Sequence, residues 1–148
     1  MSHPDLKPRS GANYRAVETG PMSRWHEHVL ERPAMNLKVP GKLFLKELLG
    51  FTGMEVSLNE MAPGGSVPFL HRHGTHEELY LFLSGTGEMK IDGEIIPVGP
   101  GSALRLAPAA VRAWRNTGKE PLTCIVVQAN VAPPLERDGE ILQEPLTW

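Results

Sequence analysis

Short apolar segments that alternate with polar residues recur along the middle of this chain. In MEVSLNEM, Met54, Val56 and Leu58 alternate with polar residues, which is typical of a β-strand with one buried face. EMKID alternates in the same way, and Asp92-Gly93 predicts a tight hairpin into EIIPV. HEELYLFLS, SALRLA, VRAWRN and LTCIVVQA lie between Gly- and Pro-containing turns. The pattern predicts about seven strands in an all-β sandwich or barrel.

The two ends of the chain lack such a sustained period. Residues 1–41 mix short apolar and polar pieces, and we expect them to form an arm that packs on the barrel or on a partner subunit. KLFLKELL, at 42–49, fits a short helix and a bulged strand equally well. We predict a barrel over residues 42–130 and a C-terminal tail over 131–148 that pairs along an edge or covers a partner subunit.

The composition limits the classes of protein that this chain can belong to. A length of 148 residues fits one domain, and a formal net charge of -2 leaves no basic stripe for nucleic acid. No apolar run is long enough to span a bilayer, and the N-terminus has no apolar leader, so we expect a cytoplasmic protein. The single cysteine, Cys124, lies in an apolar run and is predicted to be a buried thiol.

Histidines and glutamates concentrate in one segment, GSVPFLHRHGTHEELYLFLSG. His71 and His73 are two residues apart, so on an extended backbone both imidazoles lie on one face and can bind one ion. Glu77 and Glu78 follow on a strand, and their side chains lie on opposite faces. Only one of these carboxylates can join the histidines, and the spacing alone leaves open which one.

The arrangement Gly65, His71-x-His73, Glu78 and Gly85 resembles the first motif of the cupin superfamily, in particular small bacterial single-domain cupins of the cupin 2 type. The resemblance implies a double-stranded β-helix, which is an antiparallel jelly-roll barrel. It also implies one divalent transition metal ion per subunit, Mn, Fe, Co, Ni or Zn, and it selects Glu78 over Glu77 as a ligand. PVGPGSALRLAPAAVRAWRN resembles the second cupin motif.

The second motif departs from the family pattern at one position. Arg112 stands four residues before Asn116, where the family has a further metal-binding histidine. Two histidines and one carboxylate still form a set that leaves open coordination positions. His76 is either an additional ligand or a group that stacks and hydrogen-bonds at the barrel mouth.

Arg112 raises an electrostatic problem for a bound ion. A fixed positive charge at roughly 6 Å from a divalent ion costs about 5 kcal/mol at an effective dielectric of about 20. Either an anionic ligand bridges the two, or Arg112 pairs with Glu78 and replaces the metal. We predict that Arg112 binds substrate together with Trp114, Tyr80 and Phe82, which we expect to line an apolar pocket.

The sequence therefore favours a metal-binding cupin that acts on a small molecule, anionic or rich in oxygen, without deciding between dioxygenase, isomerase and lyase chemistry. The alternative is a non-catalytic barrel that binds or senses a small ligand, with or without metal. We expect a homodimer, because the unpaired backbone groups of an open sheet edge tend to be covered by another chain. We interpret His26 and His28 as residues of an exposed loop, and Arg105 and Arg115 as rim or surface charges.

Overall fold

The computed structural model describes residues 5–133 and 135–148. Its strands are β1 Arg9–Ser10, β2 Arg15–Ala16, β3 Val29–Arg32, β4 Leu37–Pro40, β5 Lys42–Phe44, β6 Met54–Met61, β7 His76–Ser84, β8 Gly87–Ile91, β9 Glu94–Val98, β10 Ala103–Leu106, β11 Arg112–Asn116 and β12 Leu122–Asn130. Helical turns are short and comprise two 3₁₀ helices, Met22–Glu27 and Pro33–Met35, and α1, Lys46–Leu49. Strands thus dominate, which confirms the all-β class.

Two antiparallel sheets enclose the main core. One has five strands in the order β10-β7-β12-β6-β5, and the other has three in the order β11-β8-β9. Buried apolar side chains from both sheets form one cluster, which consists of Tyr80, Phe82, Met89, Val98, Leu106, Trp114, Leu122, Cys124 and Val126. Each such side chain contributes roughly 1.5–3 kcal/mol when fully buried, so this interior holds the two sheets together.

The N-terminal segment covers part of the outer face of the five-stranded sheet. Trp25, from the first 3₁₀ helix, packs with Leu43 and Leu58, which point away from the barrel interior. The opposite face of β6 is also buried, because Ser57 and Asn59 are only 2% and 3% exposed. The expectation of a single buried face on β6 is therefore wrong, since the arm covers one side of the strand and the barrel covers the other.

Local turn chemistry agrees with the sequence at the β8–β9 hairpin. Asp92 and Gly93 both have positive φ, 50° and 87°, which is the backbone that a two-residue hairpin loop favours. The ambiguous segment 42–49 contains both of its alternatives, because β5 is followed at once by α1. Gly50 ends α1 in the left-handed conformation.

The C-terminal segment leaves the five-stranded sheet after β12. Its first residue, Val131, donates a backbone hydrogen bond to Thr75, just before β7. Residues 131–133 and 135–148 contain no strand or helix and are exposed. They include six exposed large apolar side chains: Val131, Leu135, Ile141, Leu142, Leu146 and Trp148. Among the described residues, no helix has the length and apolar character required to cross a membrane. The division into arm, barrel and tail stays a prediction.

Candidate metal centre

The backbone of the histidine segment is attached to the three-stranded sheet. His71 and Arg112 exchange two backbone hydrogen bonds, His71 N to Arg112 O at 3.1 Å and Arg112 N to His71 O at 3.0 Å. The His73 amide donates to the carbonyl of Pro108 at 3.0 Å. These bonds fix the main chain on both sides of Arg72. The backbones of His71 and His73 are therefore held by the start of β11 and the turn before it.

Glu78 meets the histidines from the other sheet. It lies on β7 between β10 and β12, paired with Leu106 and Gln128, and is 2% exposed. Its Oε1 lies 3.0 Å from Nε2 of His73. One nitrogen from each of His71 and His73 and one oxygen of Glu78 lie within 4.8 Å of one another. The structure thus brings together the three residues that the first motif singled out.

Arg112 is completely buried and binds the other oxygen of the same carboxylate. Its Nε and Nη2 both donate to Oε2 of Glu78, at 2.8 and 2.6 Å. Its Nη1 donates to the carbonyls of Ala110 and Pro108. The pairing of Arg112 with Glu78, one of the two alternatives from the sequence, is therefore present. It leaves Oε1 of Glu78 directed at His73, so the ion pair and the His–Glu contact coexist.

His71 has the electrostatic character of a metal ligand. Its Nδ1 is buried and has no hydrogen-bond partner among the described residues. Burial lowers the pKa of His71, and the positive charge of Arg112 acts in the same direction against the opposing effect of Glu78. The neutral imidazole, which binds metals, is therefore favoured. A buried nitrogen without a partner costs about 1–3 kcal/mol, which an ion or a polar ligand would offset.

The donor set fits a divalent transition metal ion. Two imidazoles and one carboxylate oxygen are the ligands that Mn, Fe, Co, Ni and Zn accept in proteins, with further positions left open. Because Arg112 neutralises Glu78, the set supplies little net negative charge, and we expect weaker metal binding than at a site with an unpaired carboxylate. His76 lies near this set, with its ring centroid 5.8 Å from that of His73, but it is not one of the three converging residues.

The aromatic residues predicted to bind substrate belong to the main core. Trp114 packs edge-on against Phe82, and Phe82 stacks on Tyr80, with ring centroids 6.0 and 6.4 Å apart. Burial, reinforced by the charge of Glu78, raises the pKa of Tyr80, so its hydroxyl keeps its proton. A contact between these side chains and a ligand stays a prediction.

Two polar residues of the barrel interior escaped the sequence analysis. Lys42, the first residue of β5, donates from Nζ to Oδ1 of Asn59 at 2.6 Å. Asn59 lies opposite Lys42 on β6 and is buried. The alternation along β6 indicates that Ser57 and Asn59 share one face of the strand. It does not indicate that this polar face points into the barrel.

The remaining candidates lie apart from this centre. His26, on an exposed turn, binds Glu60 through its backbone amide at 2.7 Å and lies 3.4 Å from it through Nδ1. Arg105 and Arg115 form ion pairs with Glu77 and Glu88 and are exposed, as predicted for surface charges. Cys124 is buried as predicted, and burial raises the pKa of its thiol to about 12.

Comparison with known proteins adds independent information. A family model described as the cupin domain matches residues 57–128. The uncharacterized protein MJ1618 of Methanocaldococcus jannaschii is 34% identical over 103 residues, which cover 67% of this chain and 81% of that protein.

Two crystal structures extend the comparison. A cupin protein of Bacteroides fragilis, BF4112, is 35% identical with a TM-score of 0.66, over 68% of this chain and 88% of that one. A putative sugar phosphate isomerase of Acidithiobacillus ferrooxidans is 26% identical with a TM-score of 0.54, over 61% of this chain and 58% of that one.

Proposed function

This chain belongs to the cupin superfamily, and we propose that it is a metal-binding cupin that acts on a small molecule, anionic or rich in oxygen. One divalent transition metal ion, Mn, Fe, Co, Ni or Zn, is held by His71, His73 and Oε1 of Glu78. The observation that carries this proposal is the convergence of one ligand atom from each of these three residues within 4.8 Å. Nδ1 of His71 is also buried and has no hydrogen-bond partner among the described residues. When bound, the ion would supply Lewis acidity or oxygen activation.

The residues of the chain have separate tasks in this proposal. Arg112 fixes the Glu78 carboxylate through Oε2, so that Oε1 stays directed at His73. Tyr80, whose pKa is raised by burial, serves as a neutral hydroxyl and not as a base. In this proposal Arg112 positions a ligand of the metal, and the direct substrate contact that the sequence suggested stays a prediction.

Two further features bear on this role. The relative from Acidithiobacillus ferrooxidans carries the description of a putative sugar phosphate isomerase, which supports a small oxygen-rich substrate for this barrel as well. The single cysteine is a buried free thiol, which fits a reducing compartment, and we propose the cytoplasm.

A second candidate is a barrel that binds or senses a small ligand without turning it over. The Arg112–Glu78 ion pair favours it, because Arg112, with Nη2 2.6 Å from Oε2, already neutralises the Glu78 carboxylate. This candidate requires no metal for ligand binding, whereas the metal-binding proposal does.

Elemental analysis of the purified protein separates the two. The chain is expressed in medium that contains Mn, Fe, Co, Ni and Zn, beside His73→Ala and the matched control His26→Ala, which removes an exposed histidine. We expect near-stoichiometric metal in the parent and in His26→Ala, and its loss in His73→Ala. Absence of metal from the parent would refute the metal-binding proposal and leave the ligand-binding barrel.

A further inference from the structure

Arg112 is poorly placed to bind a ligand, because it is fully buried and makes four hydrogen bonds within the protein. The guanidinium is 0% exposed, and each of its three nitrogens donates to Glu78, Pro108 or Ala110. An anion at Arg112 would compete with the carboxylate of Glu78 for the guanidinium. A cation without a carboxylate partner is therefore better suited to receive an anionic group.

Lys42 is a cation in a position to do so. Lys42 is the half-buried first residue of β5. The ammonium donates to Oδ1 of Asn59 and lies 4.9 Å from the centre of the Phe44 ring. Burial lowers the pKa of Lys42 and so opposes its charge, whereas the carbonyl oxygen and the face of the aromatic ring stabilise the ammonium.

Asn59 is locked in the orientation that presents its oxygen to Lys42. Its Nδ2 donates to the carbonyl and hydroxyl oxygens of Ser57, at 3.1 and 3.0 Å, and approaches the carbonyl of Cys124 at 3.4 Å. Because these acceptors engage the amide nitrogen, Oδ1 is left for the ammonium. A buried polar network of this kind is costly to build, which sets Lys42 apart from a surface lysine.

The positive charge of Lys42 is not matched by a carboxylate of its own. Among the described residues it forms no ion pair, and only one of its three N–H groups has a hydrogen-bond partner. Glu78 and Glu55 act on it electrostatically, but Glu78 is paired with Arg112, and Glu55 accepts the backbone amides of Lys46 and Val56. The thiol of Cys124 stays neutral at ordinary pH because its pKa is raised.

We infer that Lys42, held by Asn59 and Phe44, is an anion-binding site inside the barrel that receives the carboxylate or phosphate group of a small ligand. The two free N–H groups of the ammonium supply the hydrogen bonds, and the anion supplies the charge that this interior lacks. The site uses none of the candidate metal ligands. Anion binding at Lys42 can therefore be tested separately from metal binding.

Thermal melting of metal-free protein tests this inference. Inorganic phosphate and, separately, acetate are titrated at constant ionic strength, with chloride as the replaced anion. We expect a saturable rise in Tm with at least one of the two for the parent, for Lys42→Arg and for Lys90→Met, which removes an exposed lysine. Lys42→Met and Lys42→Gln should weaken the apparent affinity at least tenfold.

The same experiment provides a control for folding. Removing a buried ammonium relieves desolvation but leaves Oδ1 of Asn59 without its donor, so Lys42→Met without added anion should still fold and melt within a few degrees of the parent. The inference is overturned if the parent shows no saturable response, or if both uncharged Lys42 variants respond as the parent does.

Discussion

Neighbouring glutamates on β7 take arginine partners in opposite environments. Glu78 points inward to Arg112, and both side chains are almost fully buried, whereas Glu77 points outward to Arg105, which is 64% exposed. A buried charge that loses its partner has no water to replace it, but an exposed one does. The two pairs therefore form a matched comparison on one strand.

We predict that Arg112→Met lowers the free energy of unfolding of the metal-free protein by about 3–5 kcal/mol. Arg105→Met should lower it by less than about 1 kcal/mol. Urea denaturation followed by circular dichroism measures both. Added Zn²⁺ or Mn²⁺ should recover part of the loss in Arg112→Met, because the ion then compensates Glu78. Equal losses in the two variants would contradict this account of the buried pair.

The thiol of Cys124 gives a prediction on pH. Burial raises its pKa from the ordinary value of 9.0 to about 12, so the folded protein keeps the proton after the unfolded chain has released it. The free energy of unfolding should therefore fall as the pH rises from about 9 towards about 12. Urea denaturation at several alkaline pH values should show a shallower fall in Cys124→Ala. Identical pH profiles for the two proteins would speak against it.

Gly85 connects β7 to β8, and its backbone leaves no room for a side chain. Its φ is +80°, and an added Cβ would lie 2.3 Å from the carbonyl oxygen of Pro121 and 2.8 Å from Cα of Leu122. Gly93, in the β8–β9 hairpin, also has a positive φ of +87° but has open space around it. An alanine at either position would strain the backbone, but only an alanine at Gly85 would also clash with neighbouring main-chain atoms.

Gly93→Ala should cost about 1 kcal/mol of unfolding free energy, which is the conformational cost alone. Gly85→Ala should cost clearly more, because backbone atoms of the segment that leads into β12 cannot move aside without disturbing the sheet. Differential scanning calorimetry of both variants provides the measurement, with a larger fall in Tm for Gly85→Ala. A comparable fall in both would show that the loop at Gly85 adapts.

For the whole molecule, the exposed apolar surface supports a homodimer. The described part of the C-terminal segment carries six large exposed apolar side chains, and Met54 and Leu79, on the outer side of the five-stranded sheet, are also exposed. Surface of this kind is usually covered in soluble proteins by another chain. We propose that the tail of one copy covers the outer surface of a second.

Sedimentation analysis should show a dimer of the 16.3 kDa chain. Ending the chain after Asn130, or replacing Ile141 and Leu142 by serine, should shift it to the monomer. Replacing Glu136 and Glu140 by serine is the matched control and should leave the dimer intact. A monomeric parent would refute the proposed assembly.

The sequence alone predicted much of the barrel, because strand alternation and turn residues act locally. The apolar runs, together with the Gly and Pro turns, located the strands from β6 to β12, and Asp92-Gly93 located a hairpin. The resemblance of the spacing of His71, His73 and Glu78 to a cupin motif identified the family, which the comparisons confirm. These features depend on residues that are close together in the chain, so they can be recognised without knowing what packs against them.

Only the tertiary structure decided which charged and polar side chains inside the barrel pair with one another. Arg112 and Glu78 are 34 residues apart, and Lys42 and Asn59 are 17 apart, so no local pattern links them. The polar face of β6, with Ser57 and Asn59, is buried in the barrel, while the N-terminal segment covers Leu58 on the opposite face; alternation alone cannot indicate which face points inward. The sequence left Arg112 with two roles, and the folded chain pairs it with Glu78, because both are enclosed where an unpaired charge would be too costly.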